Sequence, residues 1–270
     1  MSGRHVVMYS GGVGSYVAAK RVVHRVGPQA VTLLFCDTRM EDEDTYRFLR
    51  DGARALGAEL IEIADGRDIW QVFRDKRYLG NTRVDPCSRI LKRELSDAWL
   101  AQHCNPASTT IYVGIDWTEA HRYERLRDRR ALDGWRYEAP LCEPPYLWKP
   151  DLHAIAEADG LPMQRLYREG AAHANCGGGC VKMGQGGFAR LLRANRLRFI
   201  EWEEREQEMR DYLGKDVAIL RDRTGGEPRP LTLRALRERI ESGGQCDMTE
   251  IGGCGCFSDA AAEPTDGGAP

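Results

Sequence analysis

Two kinds of hydrophobic pattern alternate along the first half of the chain. Continuous apolar runs at 6–9, 31–35, 60–63 and 109–113 predict short buried strands. Between them, apolar residues recur at helical spacing over 13–22 and 46–56, and the second of these helices is expected to end at Gly57. The pattern predicts an α/β fold, in which an open parallel sheet of about five strands carries helices on both faces.

The second half of the chain has a different pattern. The proline-rich segment 140–150 indicates a boundary, and helical periodicity follows at 151–158, 163–167, 188–212 and 231–240. We therefore expect an α/β domain over 1–145 and a mainly helical, cysteine-containing region over 146–257. The last residues, 258–270, consist largely of Ala, Gly, Pro and acid, and this composition predicts a disordered tail.

The turn between the first strand and the first helix is rich in glycine. It reads Ser10-Gly11-Gly12-Val13-Gly14-Ser15. Glycine permits positive φ and close approach of a ligand to the backbone. The N-terminal end of a helix also presents free N–H groups and the positive end of the helix dipole. A plain strand–helix connector is the alternative, but the flanking serines favour a phosphate-binding turn.

Two better-known phosphate loops do not match this turn. A Walker loop requires a lysine before its Ser/Thr, and a dinucleotide fingerprint requires a third glycine where Val17 stands. The turn instead resembles the PP-loop of the ATP-pyrophosphatase superfamily, which usually reads Ser-Gly-Gly-x-Asp-Ser, so that Gly14 replaces the acid. This resemblance implies a HUP/Rossmann-like domain that binds ATP with Mg²⁺. It also implies cleavage of ATP to AMP and pyrophosphate.

Softer features resemble the phosphoadenylyl-sulfate (PAPS) reductase-like branch of this superfamily. Asp37 and Thr38 follow the second strand, where the family contacts its nucleotide, although Asp37 could equally cap the next helix. The fourth strand ends in Gly114-Ile115, where a glycine admits a purine or ribose. The resemblance therefore adds these four residues to the cofactor-binding set Ser10, Gly11, Gly12, Gly14 and Ser15.

Several basic residues are candidate anion contacts. The segment after Cys87 resembles the reductase branch and makes Arg89 and Lys92 candidate phosphate contacts, with Lys92 also a candidate catalytic residue. Glu119 and Arg122 fit the pattern after Gly114-Ile115. Five arginines crowd positions 122–130, either as an ordinary solvated helix or as a patch for sulfate, phosphate or RNA.

Glycines surround the cysteines of Cys176-Gly-Gly-Gly-Cys180 and Cys254-Gly-Cys256. Glycine leaves backbone N–H groups free to approach sulfur, which favours an iron–sulfur cluster, of the 4Fe-4S type, on these four cysteines. Structural zinc is the second interpretation, since its usual spacing is C-x₂-C, and a redox thiol pair is the third. Cys176 and Cys180 are also candidate catalytic residues. Cys87 and Cys246 could complete either metal site, and Cys36, Cys104 and Cys142 are expected to be structural.

Composition indicates in which cellular environment the protein works and which ligand classes its charge favours. The 270 residues carry a net charge of −2, which gives no overall bias toward nucleic acid or membranes. No apolar run approaches the roughly 20 residues that span a membrane, and the start of the chain has no signal-peptide pattern. We therefore expect a cytoplasmic location. The nine cysteines then favour metal ligands or reactive thiols over disulfides.

These features predict an ATP-dependent enzyme. It would adenylate an acceptor, release pyrophosphate and transfer sulfur with the help of an iron–sulfur centre. The acceptor could be an RNA or DNA base or a small metabolite, a sulfur donor protein could take part, and a homodimer is compatible with the sequence. One alternative is a PAPS/APS-type reductase, although the Glu-Cys-Gly-Leu-His-like tail of that branch is missing. Another is a non-catalytic nucleotide-binding protein with structural zinc.

Overall fold

The computed structural model describes residues 3–80, 85–224 and 226–252. Five parallel strands form one sheet in the order β3-β2-β1-β4-β5. The strands are β1 (Arg4–Met8), β2 (Val31–Asp37), β3 (Glu59–Ala64), β4 (Thr109–Tyr112) and β5 (Arg136–Glu138). The predicted α/β fold with a parallel sheet of five strands is confirmed, together with a mainly helical C-terminal region.

The central strands are apolar on both sides because helices cover both faces of the sheet. In β1, Val7 belongs to a core with the first helices, whereas Val6 and Met8 belong to a core on the opposite face. The edge strand β3 contains more polar residues than the central strands, among them Glu59 and Glu62. The predicted apolar runs at 6–9 and 31–35 thus correspond to the buried parts of β1 and β2.

The helices cover most of the remaining chain. They are α1 (Val13–Val26), α2 (Glu43–Leu56), α3 (Ile69–Lys76), α4 (Pro86–Ser88), a π-helix (Arg89–Glu94), α5 (Leu95–His103), α6 (Ala120–Leu132), α7 (Lys149–Ala158), α8 (Arg165–Arg168), α9 (Gln185–Ala194), α10 (Arg196–Leu213) and α11 (Leu233–Glu241). Within the ranges given above, none of them combines the length and apolar character of a membrane span.

The single helix predicted over 188–212 is two helices. The chain leaves helical geometry at Asn195, whose side chain accepts a hydrogen bond from the N–H of Arg198 and caps α10. A second, antiparallel pair consists of β6 (Leu220–Asp222) and β7 (Arg229–Leu231). Each strand has three residues, which is too short to give a recognisable hydrophobic pattern.

The helical region shares its core with part of the first domain. Trp202 of α10 packs edge-on against Trp70 of α3, with ring centroids 5.0 Å apart, and Phe188 lies 5.8 Å from Trp202. Leu91 of the π-helix is buried in the same core. The segment between β3 and β4 therefore joins the sheet to the C-terminal helices, while the domain boundary at residue 145 stays a prediction.

The strand order fixes where a ligand can bind. β1 continues through α1 to β2 on one side, and β4 lies on its other side. Between such strands the connecting helices leave in opposite directions, which opens a crevice at the carboxyl ends of β1 and β4. The glycine-rich turn follows β1, and Gly114-Ile115 follow β4, so both predicted nucleotide segments meet at this crevice.

A buried carboxylate joins the small antiparallel pair to the C-terminal helices. Glu206 of α10 is 1% exposed and accepts hydrogen bonds from the N–H of Ile219, at 2.9 Å, and of Leu233, at 2.6 Å. Burial raises the pKa of Glu206 from 4.5 to about 6, although both backbone donors act in the opposite direction.

We predict that this carboxyl makes folding stability depend on pH. Because its pKa is higher in the folded protein, its contribution is present below pH 4.5 and is lost as the pH rises through 6. Chemical denaturation should therefore show Glu206→Gln destabilising the protein by about 1.5 kcal/mol more at pH 4.5 than at pH 7. The exposed Glu208→Gln serves as the control and should show no such difference. An equal effect of Glu206→Gln at both pH values would contradict the assignment.

Candidate functional site

The glycine-rich turn leaves the start of α1 open to an anion. Gly11 has a φ of +76°, which places it in the left-handed region, and Gly12 is the extended residue that precedes the helix. The first turn of α1 contains no acidic residue, and none of the described side chains caps it. The Ser15 hydroxyl donates to the Gly12 carbonyl at 2.8 Å and accepts from the Ser10 hydroxyl at 3.3 Å. The positive end of the helix dipole thus faces the crevice, and the hydrogen bonds of the two serines fix the shape of the turn.

Gly114 supports this turn from the neighbouring strand. Although it is predicted to admit a purine or ribose, its close neighbour is the backbone of Ser15. A β-carbon at Gly114 would lie 2.9 Å from both the Cα and the N of Ser15. Gly14 is less crowded, because a β-carbon there would lie 3.4 Å from the Gly114 carbonyl oxygen. The absence of an acid at position 14 is therefore not imposed by packing.

A cleft of about 150 Å³ opens over this turn. Its lining contains seven of the predicted site residues, namely Ser10, Gly12, Gly14, Ser15, Lys92, Gly114 and Ile115. The two additional candidates Glu119 and Arg122 also line it and form an ion pair with each other. The cleft therefore combines an open helix end, a buried lysine, an arginine and a carboxylate. Such a set of groups suits a phosphate-containing ligand.

Lys92 lines the cleft from a π-helix. It lies on the π-helix Arg89–Glu94 and is only 6% exposed. Its Nζ is 3.8 Å from Oε1 of Glu41, a residue that is itself buried. Arg89, at the start of the same π-helix, is exposed and pairs with Glu94. Of the two predicted phosphate contacts on this segment, only Lys92 lines the cleft.

Glu41 links the cleft to the first cysteine loop. Its carboxylate accepts from the Thr38 hydroxyl at 3.1 Å and from the N–H of Cys176 at 2.5 Å. The same carboxylate lies beside the Lys92 ammonium. A buried carboxylate is tolerated only when charged and hydrogen-bonding partners surround it, and this one has both.

Asp37 and Thr38 have structural partners near the end of β2. Asp37 accepts from the Tyr46 hydroxyl at 2.6 Å and from the N–H of Arg39 at 2.8 Å. Neither Asp37 nor Thr38 is among the residues that line the cleft. The alternative role of Asp37 as a helix cap is wrong, because Asp42 caps α2 by accepting from the N–H of Asp44. Nucleotide contact by Asp37 and Thr38 stays a prediction.

Cys176 and Cys180, which are predicted to share a metal site, lie together in one loop. The two thiols hydrogen-bond to each other, and this contact, burial and the charge of Glu41 hold the pKa of Cys176 well above its usual value. Cys176 also has a φ of +53°, a conformation that is rare for residues other than glycine. Cys180 accepts from the N–H of Lys182 at 3.4 Å, as cluster-binding sulfurs commonly do.

The glycines between these cysteines are required by packing. A β-carbon at Gly177 would overlap the Arg198 guanidinium, one at Gly178 would lie 2.9 Å from Leu166, and one at Gly179 would overlap the Trp202 indole. Their close neighbours are therefore side chains of α8 and α10. The sequence predicts that these glycines leave space around the sulfurs. Instead, the space of their missing side chains is occupied by Arg198, Leu166 and Trp202, which restricts the residues that the loop can contain.

The C-terminal segment returns to this loop. Gly252 forms an antiparallel bridge with Met183, and the N–H of Gly184 donates to the Ile251 carbonyl at 3.3 Å. Ile251 and Gly252 line a narrow, largely apolar groove together with Cys180. Cys254 and Cys256 lie outside the described residues. Within those residues, no group of three or more His, Cys, Asp or Glu side chains is arranged to hold a metal ion.

The other cysteines are distributed through the fold. Cys36 is buried, whereas Cys87, Cys104, Cys142 and Cys246 are half-buried. Cys87 and Cys246 pack against the helical core, so their predicted part in a metal site has no support from a shared cluster within the described chain. The structural role expected for Cys36 agrees with its burial.

Three residues around the cleft have no clear signal in the sequence. Tyr167 places its hydroxyl 3.3 Å from where a Gly12 β-carbon would be, and burial raises its pKa to about 12. Gln164 donates to the Gly11 carbonyl at 3.1 Å and so holds the glycine turn from the second half of the chain. His173 lines both the cleft and the groove beside Cys180. Each reaches the site by long-range packing.

Comparison with known proteins gives a likeness of fold. The chain is similar to the phosphoadenylyl-sulfate (PAPS) reductase from Candida auris in its phosphate complex, with 16% identity and a TM-score of 0.43 over 62% of this chain and 78% of that one. It is also similar to the NMN synthetase from Francisella tularensis, with 15% identity and a TM-score of 0.40 over 60% of this chain and 63% of that one. No family model and no curated protein matches the sequence.

We predict that Gly12→Val weakens ATP binding at least tenfold, or about 1.4 kcal/mol. The new side chain would enter the space in front of the α1 N–H groups, where the nearest atom is the Tyr167 hydroxyl at 3.3 Å. Titration calorimetry with ATP measures the loss, and thermal unfolding verifies that the variant is folded. Gly14→Ala is a graded comparison, because its β-carbon makes only ordinary contacts. Unchanged ATP affinity in folded Gly12→Val would refute the location of the phosphate site.

Proposed function

We propose that this protein is an ATP-dependent enzyme that adenylates an acceptor and releases pyrophosphate. The observation that carries the proposal is the uncapped start of α1, which faces a cleft containing the buried Lys92. In the reaction, an acceptor oxygen forms a bond to the α-phosphorus of ATP. The bond from that phosphorus to the bridging oxygen of the β-phosphate breaks, and pyrophosphate leaves with the electron pair.

The residues of the cleft have different roles in this reaction, according to where they lie. The N–H groups at the start of α1 hold phosphate oxygens, and the Ser10 and Ser15 hydroxyls keep the turn in shape. Lys92 and Arg122 stabilise the negative charge that develops on the leaving pyrophosphate. Because Lys92 is buried, its charge acts in surroundings of low dielectric and is screened little by water.

Magnesium commonly binds at least one carboxylate, and the turn does not provide one. Gly14 stands where the superfamily usually has an acid, and Glu119 is a carboxylate that lines the opposite wall of the cleft. We assign Glu119 to Mg²⁺, with the phosphates of ATP as further ligands. Mg²⁺ commonly binds one or two carboxylates together with substrate phosphates, so this donor set fits the ion.

The second part of the proposal concerns sulfur. The thiols of Cys176 and Cys180 converge, and the C-terminal segment reaches the groove beside Cys180 two residues before Cys254. These residues fit an iron–sulfur centre held by Cys176, Cys180, Cys254 and Cys256, with zinc as the second choice. When bound, such a centre supplies sulfur or electrons. A sulfur nucleophile would then displace AMP from the activated acceptor, with a donor protein restoring the sulfur in a cytoplasmic setting.

Two other functions compete with this one. A PAPS/APS-type reductase would use the same cleft for a sulfated nucleotide and the thiols as reductant. A non-catalytic nucleotide-binding protein with structural zinc is favoured by the missing acid at Gly14. Formation of AMP from ATP separates the proposed function from both, because neither alternative cleaves ATP.

We predict that turnover of ATP yields AMP and pyrophosphate, and that Lys92→Ala lowers the rate about 100-fold or more. The lysine is the buried cation in the cleft, so its loss removes stabilisation of the developing charge. Separation of the nucleotides by chromatography identifies the products. Lys76→Ala is the matched control, because Lys76 is an exposed lysine on α3, and it should leave the rate unchanged. ADP as the main product would contradict the proposed reaction.

We also predict that the protein, purified without oxygen, contains iron and sulfide or, failing those, zinc. Cys176→Ser with Cys180→Ser should remove the metal, because two of four thiolate ligands would be lost, and should make the segment near Gly252 more sensitive to protease. Elemental analysis and the visible absorbance of iron–thiolate bonds measure the first effect. Cys104→Ser is the control, since that half-buried cysteine lies at the end of α5. Absence of both metals from wild-type protein would leave the sulfur-transfer proposal without support.

A further inference from the structure

Three aromatic side chains form an exposed cluster beside the cleft. Tyr146 is 56% exposed and Trp148 is 60% exposed. The ring of the half-buried Trp117 lies 5.7 Å from the ring of Tyr146 and 4.6 Å from that of Trp148. Two large aromatic residues that are exposed around one ring form an apolar patch, and exposed apolar patches commonly mark interaction sites.

This aromatic cluster stands at the rim of the cleft. Trp117 lies in the chain between Ile115 and Glu119, both of which line the cleft on the β4 side. Lys149 follows Trp148 and lies 5.2 Å from the ring centre of Tyr167, which lines the cleft on the opposite side. The cluster is therefore connected through neighbouring residues to the β4 side of the cleft and to Tyr167.

The cluster is held in place by its own hydrogen bonds. The Trp117 indole N–H donates to the Leu147 carbonyl at 3.0 Å. Arg21 of α1 donates to the carbonyl oxygens of Pro140, at 2.8 Å, and of Glu143, at 2.9 Å. The same guanidinium also donates to the Pro145 carbonyl, immediately before Tyr146. These bonds fix the Trp117 ring and the backbone that precedes Tyr146, and a fixed scaffold loses less conformational entropy when a ligand binds.

A basic column begins directly after the cluster. His121, Arg125 and Arg129 are four residues apart on α6 and therefore lie on one face of that helix. All three are exposed, and Arg125 and Arg129 make no ion pair with any residue in the described ranges. Arg125 and Arg129 are like charges at a spacing that destabilises an isolated helix, so their arrangement is better explained by an anionic ligand than by helix stability.

We infer that the acceptor is a base in a single-stranded nucleic acid. The inference rests on the proposed function, since it names the substrate class that enters the same cleft. Bases stack on Tyr146 and Trp148, and the phosphates that follow run along His121, Arg125 and Arg129. Aromatic stacking together with a basic track is the usual way in which proteins bind single strands without reading their sequence.

A protein partner fits these observations less well. A protein interface needs an apolar centre surrounded by a mixed polar rim, whereas here the helix that follows Trp117 carries the basic column His121, Arg125 and Arg129. The overall charge of −2 also means that an anionic ligand would be attracted by this local column and not by the molecule as a whole. Binding should therefore be confined to the cluster and the column.

The test uses fluorescein-labelled single-stranded RNA and DNA 12-mers with the full-length protein, followed by fluorescence anisotropy without ATP. Wild-type protein should bind at least one of the two, and the comparison of RNA with DNA identifies the natural acceptor. Trp148→Ala should weaken binding about tenfold, because one base loses its stacking partner. Arg125→Ala with Arg129→Ala should lower the slope of log affinity against log salt by about two. Leu197→Ala and Arg205→Ala are the matched controls, since they remove an exposed apolar residue and an exposed arginine elsewhere.

The outcomes separate this inference from the proposed function. Gly12→Val should still bind the oligonucleotide, because the phosphate site for ATP is distinct from the cluster. Failure of wild-type protein to bind either oligonucleotide, or equal binding by Trp148→Ala, overturns the inference, even if AMP is formed with another acceptor. Self-association that Trp148→Ala abolishes, without oligonucleotide binding, would also overturn it and assign the cluster to a second copy of the chain. Oligonucleotide binding without AMP formation would instead refute the proposed reaction and leave the binding surface in place.

Discussion

The buried carboxylate of Glu41 joins the parts from which the site is built. It faces Lys92 from the π-helix and accepts the N–H of Cys176 from the cysteine loop. The Lys92 ammonium would be expensive to bury without this carboxylate, since an unpaired charge in the interior costs several kcal/mol. The lysine therefore depends on the carboxylate for its place in the cleft, and the cysteine loop depends on it for its position beside the sheet. The cleft over the glycine-rich turn and the loop that carries Cys176 are thus connected through one group.

The sequence was sufficient to predict the parts of the site that depend on local geometry. A strand, a glycine turn and a helix follow one another within the first 26 residues, so their arrangement is set by nearby chain and holds as predicted. Glu41, Tyr167 and His173 could not be predicted in the same way. Their position depends on contacts between residues more than 100 apart in the sequence, and hydrophobic periodicity carries no information about such contacts.

The glycines show why a correct motif can have a different physical cause. Around Cys176 and Cys180, the glycine pattern predicted a site where sulfur and backbone approach closely. The loop does bring the two thiols together, but the glycines themselves are required because Arg198, Leu166 and Trp202 occupy the space of their missing side chains. Gly184 is similar, since a β-carbon there would overlap Glu250 in the returning C-terminal segment. Close packing of helices and loop is thus the constraint that keeps this part of the chain glycine-rich.

The same distinction bears on Gly14, the position where the turn departs from the PP-loop pattern that it resembles. Its backbone does not require glycine, and a side chain would meet only ordinary contacts. An acid at this position would place negative charge on the first turn of α1 and would partly cancel the attraction of that helix end for phosphate. With glycine there, the helix end keeps its full positive character, and the carboxylate available in the cleft is Glu119 on the β4 side. A metal held by Glu119 would supply positive charge to the cleft in addition to the helix end, so that the two could together offset the charge of a phosphate-containing ligand.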